Sequence, residues 1–152
     1  MTDMLVNLQS NLITNKDGYD GFEIRRVVPP EKHLVLQWVK THFSEKWVSE
    51  CDVACSHTPA DCFIAVQGKE LLGFACINTT FLNFFGPTGV KEQSRGRGIG
   101  KSLLFHALTE MKHKGYVYAI IGDAGPIEFY RKTVGAVPIK NEPALTQMNY
   151  LD

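Results

Sequence analysis

Apolar positions along the chain fall into short near-continuous runs and into helical stripes, separated by glycine and proline. The runs 62–67 and 70–77 flank Gly68-Lys69, a two-residue loop with glycine first, as a type II′ hairpin prefers. Residues 22–28 suit an earlier strand, which Pro29-Pro30 end while presetting the first turn of a helix over about 31–43. In that helix Leu34, Val35, Trp38 and Val39 share one face, and Ser44 is placed to cap a second short helix. The aromatic run 81–90 reads as a buried strand in which Gly86 and Pro87 mark a bulge or a break in pairing. Leu103, Leu104, Ala107, Leu108 and Met111 then line one face of a helix that begins near Gly98. Lys112, His113 and Lys114 suit its negative end, and Gly115 its C′ position. The run 116–121 predicts a strand, followed by a short helix with Pro126 in its first turn and Gly135 at its close. Residues 136–151 are expected to supply one or two edge strands, and the residues before Gly21 a loose arm.

Length and composition narrow the classes. With 152 residues and 44% hydrophobic content, the chain can fill one core and not two, so residues 22–152 are read as a single domain behind an arm at 1–21. Sixteen basic and sixteen acidic side chains cancel, leaving no field to hold a nucleic acid. No run approaches the roughly 18 apolar residues of a membrane span, and the first ten residues lack the pattern of a signal peptide. A cytoplasmic protein with reduced thiols is the expectation. Cys51, Cys55, His57 and Cys62 could be written as a zinc set, but paired C-x-x-C knuckles are missing and Cys62 opens a strand. They are read as small buried thiols, with no metal expected.

The segment from Arg95 to Ser102 changes the picture most. It places Gly96, Gly98 and Gly100 between a strand and an amphipathic helix. Glycines allow close backbone approach, and the helix start offers unpaired N–H groups and the positive end of its dipole, which together suit a diphosphate. Two nucleotide-binding readings fail on spacing. A P-loop ending in Gly100-Lys101-Ser102 would need glycine at Arg95, and a G-x-G-x-x-G dinucleotide loop would need it at Lys101.

The order strand, helix pair, hairpin, broken strand, glycine loop, helix, strand, short helix resembles the GNAT superfamily of acyl-CoA-dependent N-acyltransferases. Arg95, Gly98 and Gly100 match its Q/R-x-x-G-x-G/A signature, and Phe129-Tyr130-Arg131-Lys132 is similar to its later F-Y-x-K signature. The resemblance covers the chain from about Phe22 onward. It implies an α/β fold with a mixed, largely antiparallel sheet, flanking helices and a splayed central strand pair. Acetyl-CoA would lie in that splay and serve as donor substrate. By position, the Thr88 N–H would polarise the thioester carbonyl and Val90 would bond the pantetheine arm. The amides of Arg95, Gly96, Arg97, Gly98, Ile99, Gly100 and Lys101 would hold the diphosphate, and Tyr130 would protonate the departing thiolate. Glu92, Asp123 and the extra residue in Thr133-Val134-Gly135 depart from the usual pattern without touching this cradle. Phe84 falls where some members carry the glutamate that deprotonates the amine, so the base is unassigned.

A base is required because an alkylammonium, with a pKa near ~10.4, is not nucleophilic until it loses a proton. Asp123 at the mouth of the splay, His42 and His57 are the candidates, each with a plain alternative as a cap or surface residue. The early helices offer Trp38, His42, Glu45, Trp47 and Glu50 toward the acceptor, a mixture that suits a small cationic amine and equally suits packing and solvation. The expectation is an N-acetyltransferase acting on a primary amine of a small molecule, or of a protein, with no nucleic-acid or membrane partner. The edge-strand tail leaves room for a homodimer. The alternative is a non-catalytic CoA or acyl-CoA sensor or scaffold, which would gain stability from CoA but release no thiol.

Overall fold

The computed structural model describes residues 2–10, 21–140 and 151. They contain strands β1 Thr2–Asn7, β2 Glu23–Arg26, β3 Cys62–Gln67, β4 Glu70–Ile77, β5 Phe84–Val90, β6 Tyr118–Ala124 and β7 Val137–Pro138. The helices are α1 Lys32–His42, α2 Glu45–Ser56, α3 Ile99–His113 and α4 Ile127–Val134. One sheet runs in the order β2-β3-β4-β5-β6-β1-β7, antiparallel at every step except β5–β6.

Alternation along the strands divides the core between the two faces of the sheet. Phe63 and Ala65 of β3 join Leu103, Leu104 and Leu108 of α3 and Tyr130 of α4 on one face. Cys62, Ile64 and Val66 join Val35 and Val39 of α1 and Cys51, Ala54 and Cys55 of α2 on the other. Gly73 of β4 lets α3 seat closely, since a Cβ there would lie 3.1 Å from Leu103 Cδ1 and 3.3 Å from Ile99 Cγ2.

Local signals in the sequence act as expected. Gly68 takes φ +61° in the β3–β4 hairpin while Lys69 keeps negative φ, the pattern of a type II′ turn. The Ser44 hydroxyl oxygen accepts the Trp47 N–H at 3.3 Å and caps α2. Helix α3 closes on Gly115 at φ +100°, with the Gly115 N–H donating to Lys112 and the Tyr116 N–H to Met111, a Schellman ending.

Two expectations are corrected, and the edge strand expected of the tail is found. Thr2–Asn7 is a strand held between β6 and β7, with Met4 and Val6 fully buried, and not a loose arm. Asp3 breaks its apolar pattern, yet this carboxylate is buried and accepts the Asp123 N–H at 2.8 Å. The strand expected from residue 81 begins at Phe84, because the Asn78 side chain accepts the Asn83 N–H at 2.8 Å and closes a turn in which Leu82 stays exposed. The tail contributes β7, while residues 141–150 lie outside the described residues.

Candidate active site

Strands β5 and β6 pair over only two positions, Phe84 with Ile120 and Phe85 with Ile121. Each strand carries a bulge just beyond. Between Ala75/Thr88 and Ile77/Phe85, β5 advances three residues while β4 advances two. Between Met4/Ile121 and Thr2/Ala124, β6 likewise advances three against two of β1. Asp123 lies within the second bulge at φ +50°, its N–H turned onto Asp3. An extra residue bends its strand and raises local twist, so two bulges facing one another account for the splay.

The first bulge also reverses which edge of β5 each residue addresses. Before it, the Phe84 carbonyl faces β4 and accepts the Asn78 N–H at 2.9 Å. After it, the Lys91 N–H donates to Leu72 at 3.0 Å, so the alternation of antiparallel pairs points Gly89 to β4 and turns Thr88 and Val90 away from it. The amides of Thr88 and Val90 are therefore aimed into the splay, where β6 has moved off. Without the bulge those two N–H groups would be spent on β4.

The glycine loop follows from the end of β5. Gly96 and Gly98 take φ +85° and +79°, conformations that a side chain would strain. The first bond of α3 runs from the Ser102 N–H to the Gly98 carbonyl at 3.0 Å, so Ile99, Gly100 and Lys101 have no intrahelical acceptor for their amides. A Cβ on Gly100 would lie 3.7 Å from Val90 Cγ2, which places the helix start beside the end of β5. Two members of the expected cradle behave differently from the rest. The Arg95 N–H donates to the Glu92 carbonyl at 3.3 Å, and the Arg97 guanidinium lies 3.2 Å from Gln67 Oε1 and over the Phe22 ring.

At the other end, the splay opens into a cavity of about 500 Å³. Thr88, Asp123 and Tyr130 all line it, as do Phe84, Phe85, Gly86 and Pro87 of β5. Tyr130 projects from α4, is 6% exposed, and has its phenol pushed up to about 12 by burial. The Thr88 hydroxyl donates to the Phe74 carbonyl at 3.0 Å, which anchors this residue to β4 while its amide faces the gap. Helix α2 supplies the remaining wall through Lys46, Trp47 and Glu50. Phe43 fixes that helix by packing over Gly89, where any Cβ would overlap its ring, and by contacting Trp47 at 4.9 Å and Phe74 at 5.8 Å between centroids. Glu50 is half-buried, and desolvation raises its carboxyl above the usual range against a hydrogen bond with Thr80 that lowers it.

The histidines considered as bases are not at this cavity. His42 is exposed, stacks on Trp38 at 4.7 Å, and borders a separate depression with Glu70 and Lys91. His57 Nδ1 lies 2.7 Å from the buried Asp61 carboxylate, which also meets Lys114. Glu50 was grouped in the sequence with acceptor-side residues and not singled out as a base. Its signal is the spacing Lys46, Trp47, Glu50, which marks one face of α2, while Cys51, Ala54 and Cys55 mark the face against the sheet.

The site thus combines a mixed α/β sheet opened between two parallel strands with a glycine-rich helix start beside the opening. The chain belongs to the Acetyltransferase (GNAT) family, whose profile matches residues 30–136. No curated protein sequence matches the chain. The fold is similar to a GCN5-related N-acetyltransferase from Sphaerobacter thermophilus, with a TM-score of 0.73, 19% identity, 91% of this chain covered and 48% of the other. It is equally similar, at 0.73 and 18% identity, to the GCN5-related glucosamine N-acetyltransferase region of a fungal multi-domain GH3 β-N-acetylglucosaminidase, covering 91% of this chain and 19% of that one. The chain thus spans about half of the first protein and a fifth of the second. Among the described residues no helix is long and apolar enough to cross a membrane.

Proposed function

We propose that the protein transfers the acetyl group of acetyl-CoA directly to a primary amine. The observation that carries this reading is the pair of β5 amides, Thr88 and Val90, turned into the splay by a bulge, in line with the glycine-flanked start of α3. The diphosphate rests on the amides of Gly96 to Lys101, with Arg95 contributing through its side chain because its own amide is bonded to Glu92. Val90 pairs with the pantetheine amide. The Thr88 N–H points at the thioester oxygen and stabilises the negative charge that develops there.

Glu50 takes a proton from the acceptor ammonium, and Asp123 at the opposite wall helps hold that cation. The free amine attacks the carbonyl carbon, a C–N bond forms, and the C–S bond breaks. Tyr130 gives its proton to the leaving sulfur and regains one from the attacking nitrogen, which turns cationic as the C–N bond forms, and Glu50 releases its proton to solvent. Burial suits both partners: it keeps the phenol protonated at neutral pH and raises the basicity of the carboxylate. A small cationic amine suits this cavity, since two carboxylates and Trp47 line it.

The test is a thiol-release screen with acetyl-CoA against a panel of polyamines, amino sugars, amino acids and lysine peptides. Release dependent on one small amine supports the reading. Stabilisation by CoA with no release from any amine would make the protein a binding module instead.

A further inference from the structure

The thiols set aside as packing residues in the sequence converge in space. Cys51 and Cys55 stand one turn apart on the face of α2 against the sheet, Cys62 opens β3, and Cys76 lies opposite Cys62 on β4. The Ile77 N–H bonds to the Asp61 carbonyl, so Cys62 and Cys76 form a non-hydrogen-bonded pair, the kind that brings side chains closer. All four are buried in one cluster. Cys51 Sγ lies 3.8 Å from Cys62 Sγ and 4.0 Å from Cys55 Sγ, and these three sulfurs all lie within 4.8 Å of one another.

A pair of thiols at such a separation is ordinary sulfur packing. Three that are mutually close form the face of a metal–thiolate site, and Cys76, outside that trio, stands opposite Cys62 on the neighbouring strand. Tetrahedral zinc with Zn–S bonds of about 2.3 Å places its sulfurs about 3.8 Å apart. We propose that Cys51, Cys55 and Cys62, completed by Cys76, hold a structural zinc ion that clamps α2 to the sheet.

Sulfur-only ligands in a closed, water-free site select a thiophilic ion and leave no open position for catalysis. On binding, four S–H bonds are broken and their protons pass to solvent, four Zn–S bonds form, and no electron moves. The resulting charge of minus two is faced by Lys32, whose ammonium is shared with Asp52 at 2.5 Å and Ser56 at 3.0 Å beside Cys55. Cys51 and Cys62 are fully buried, so the ion enters as α2 docks and its binding is coupled to folding. The clamp acts on the back of the same helix that presents Trp47 and Glu50 to the cavity. The proposal does not depend on which amine is acetylated.

Protein produced with zinc in the medium is assayed for metal by elemental analysis, and unfolded protein is refolded with cobalt(II), with zinc, or with neither. The expectation is about one zinc per chain, thiolate-to-cobalt charge-transfer bands with tetrahedral d–d bands, and a higher melting temperature with zinc. Cys51→Ser should lose the bands and most of the metal. Should that variant fail to fold, the cobalt spectrum and zinc-dependent melting of the parent protein decide the matter alone. Metal far below one equivalent with no bands and unchanged melting would overturn the site. So would equal metal in parent and Cys51→Ser, and iron or copper at one equivalent would overturn the choice of zinc.

Discussion

Tyr130 and Glu50 approach one cavity from opposite sides of the sheet, and burial shifts both in the direction their proposed roles require. An acid must hold its proton at working pH and a base must not be so weak that it never takes one. Tyr130→Phe is expected to lower kcat by about 10²-fold or more while leaving acetyl-CoA affinity unchanged, the signature of a group that acts on the leaving sulfur. Equal turnover in the variant, read by thiol release beside calorimetric binding, would remove the role. For Glu50, kcat/KM should fall as pH drops through its carboxyl pKa, at a pH above the ordinary carboxylate range because desolvation raises that value. Glu50→Gln should lower kcat/KM by about 10²-fold and abolish that portion of the acid limb. A limb that persists unaltered would assign the base elsewhere. Tyr130 was legible from its four-residue signature. Glu50 was not, because a base on α2 reaches the site only through the packing of Phe43 over Gly89, which no local pattern encodes.

At the level of elements, the splay is a product of paired bulges, and each has a residue that can be removed. The Asp3 carboxylate accepts the Asp123 N–H inside the β6 bulge, so Asp3→Ala would remove this part-buried hydrogen bond at a cost of about 1 kcal/mol and let β6 relax. The expected result is a lower midpoint in urea together with weaker acetyl-CoA binding; lost stability with unchanged binding would detach the bulge from the donor site. Gly98→Leu should act oppositely, weakening binding more than stability, since it crowds the amides that face the diphosphate and strains a left-handed position. The hairpin at Gly68 and the helix ending at Gly115 were legible because a few adjacent residues dictate them. The bulges were foreshadowed only by Gly86-Pro87, and β1 escaped notice because its partners lie more than 100 positions away and its buried Asp3 interrupts the apolar pattern.

Across the whole molecule, β1 joins β6 to β7, while α1 and α2 cover one face of the sheet and α3 the other. The cavity lies where the two halves of the sheet part, so a donor threaded between β5 and β6 would bridge them. Saturating acetyl-CoA should therefore raise the melting temperature, by an amount that grows with the logarithm of its concentration over Kd. Absence of any shift at millimolar donor would contradict a built donor site. Architecture was readable from the order of elements and the two signatures together, whereas the convergence of four cysteines was hidden by their spread over α2, β3 and β4. The nearness in sequence of Cys51, Cys55, His57 and Cys62 hinted at a shared site, and the fold gathers the three thiols while His57 turns to Asp61.

The central claim is that main-chain amides of β5 and of the α3 start grip the donor, and backbone amide NMR during an acetyl-CoA titration addresses it directly. The largest shift changes are expected on Thr88, Val90, Gly98, Gly100 and Lys101, saturating together with one Kd. Saturable binding that leaves those five amides unmoved and perturbs others instead would contradict it.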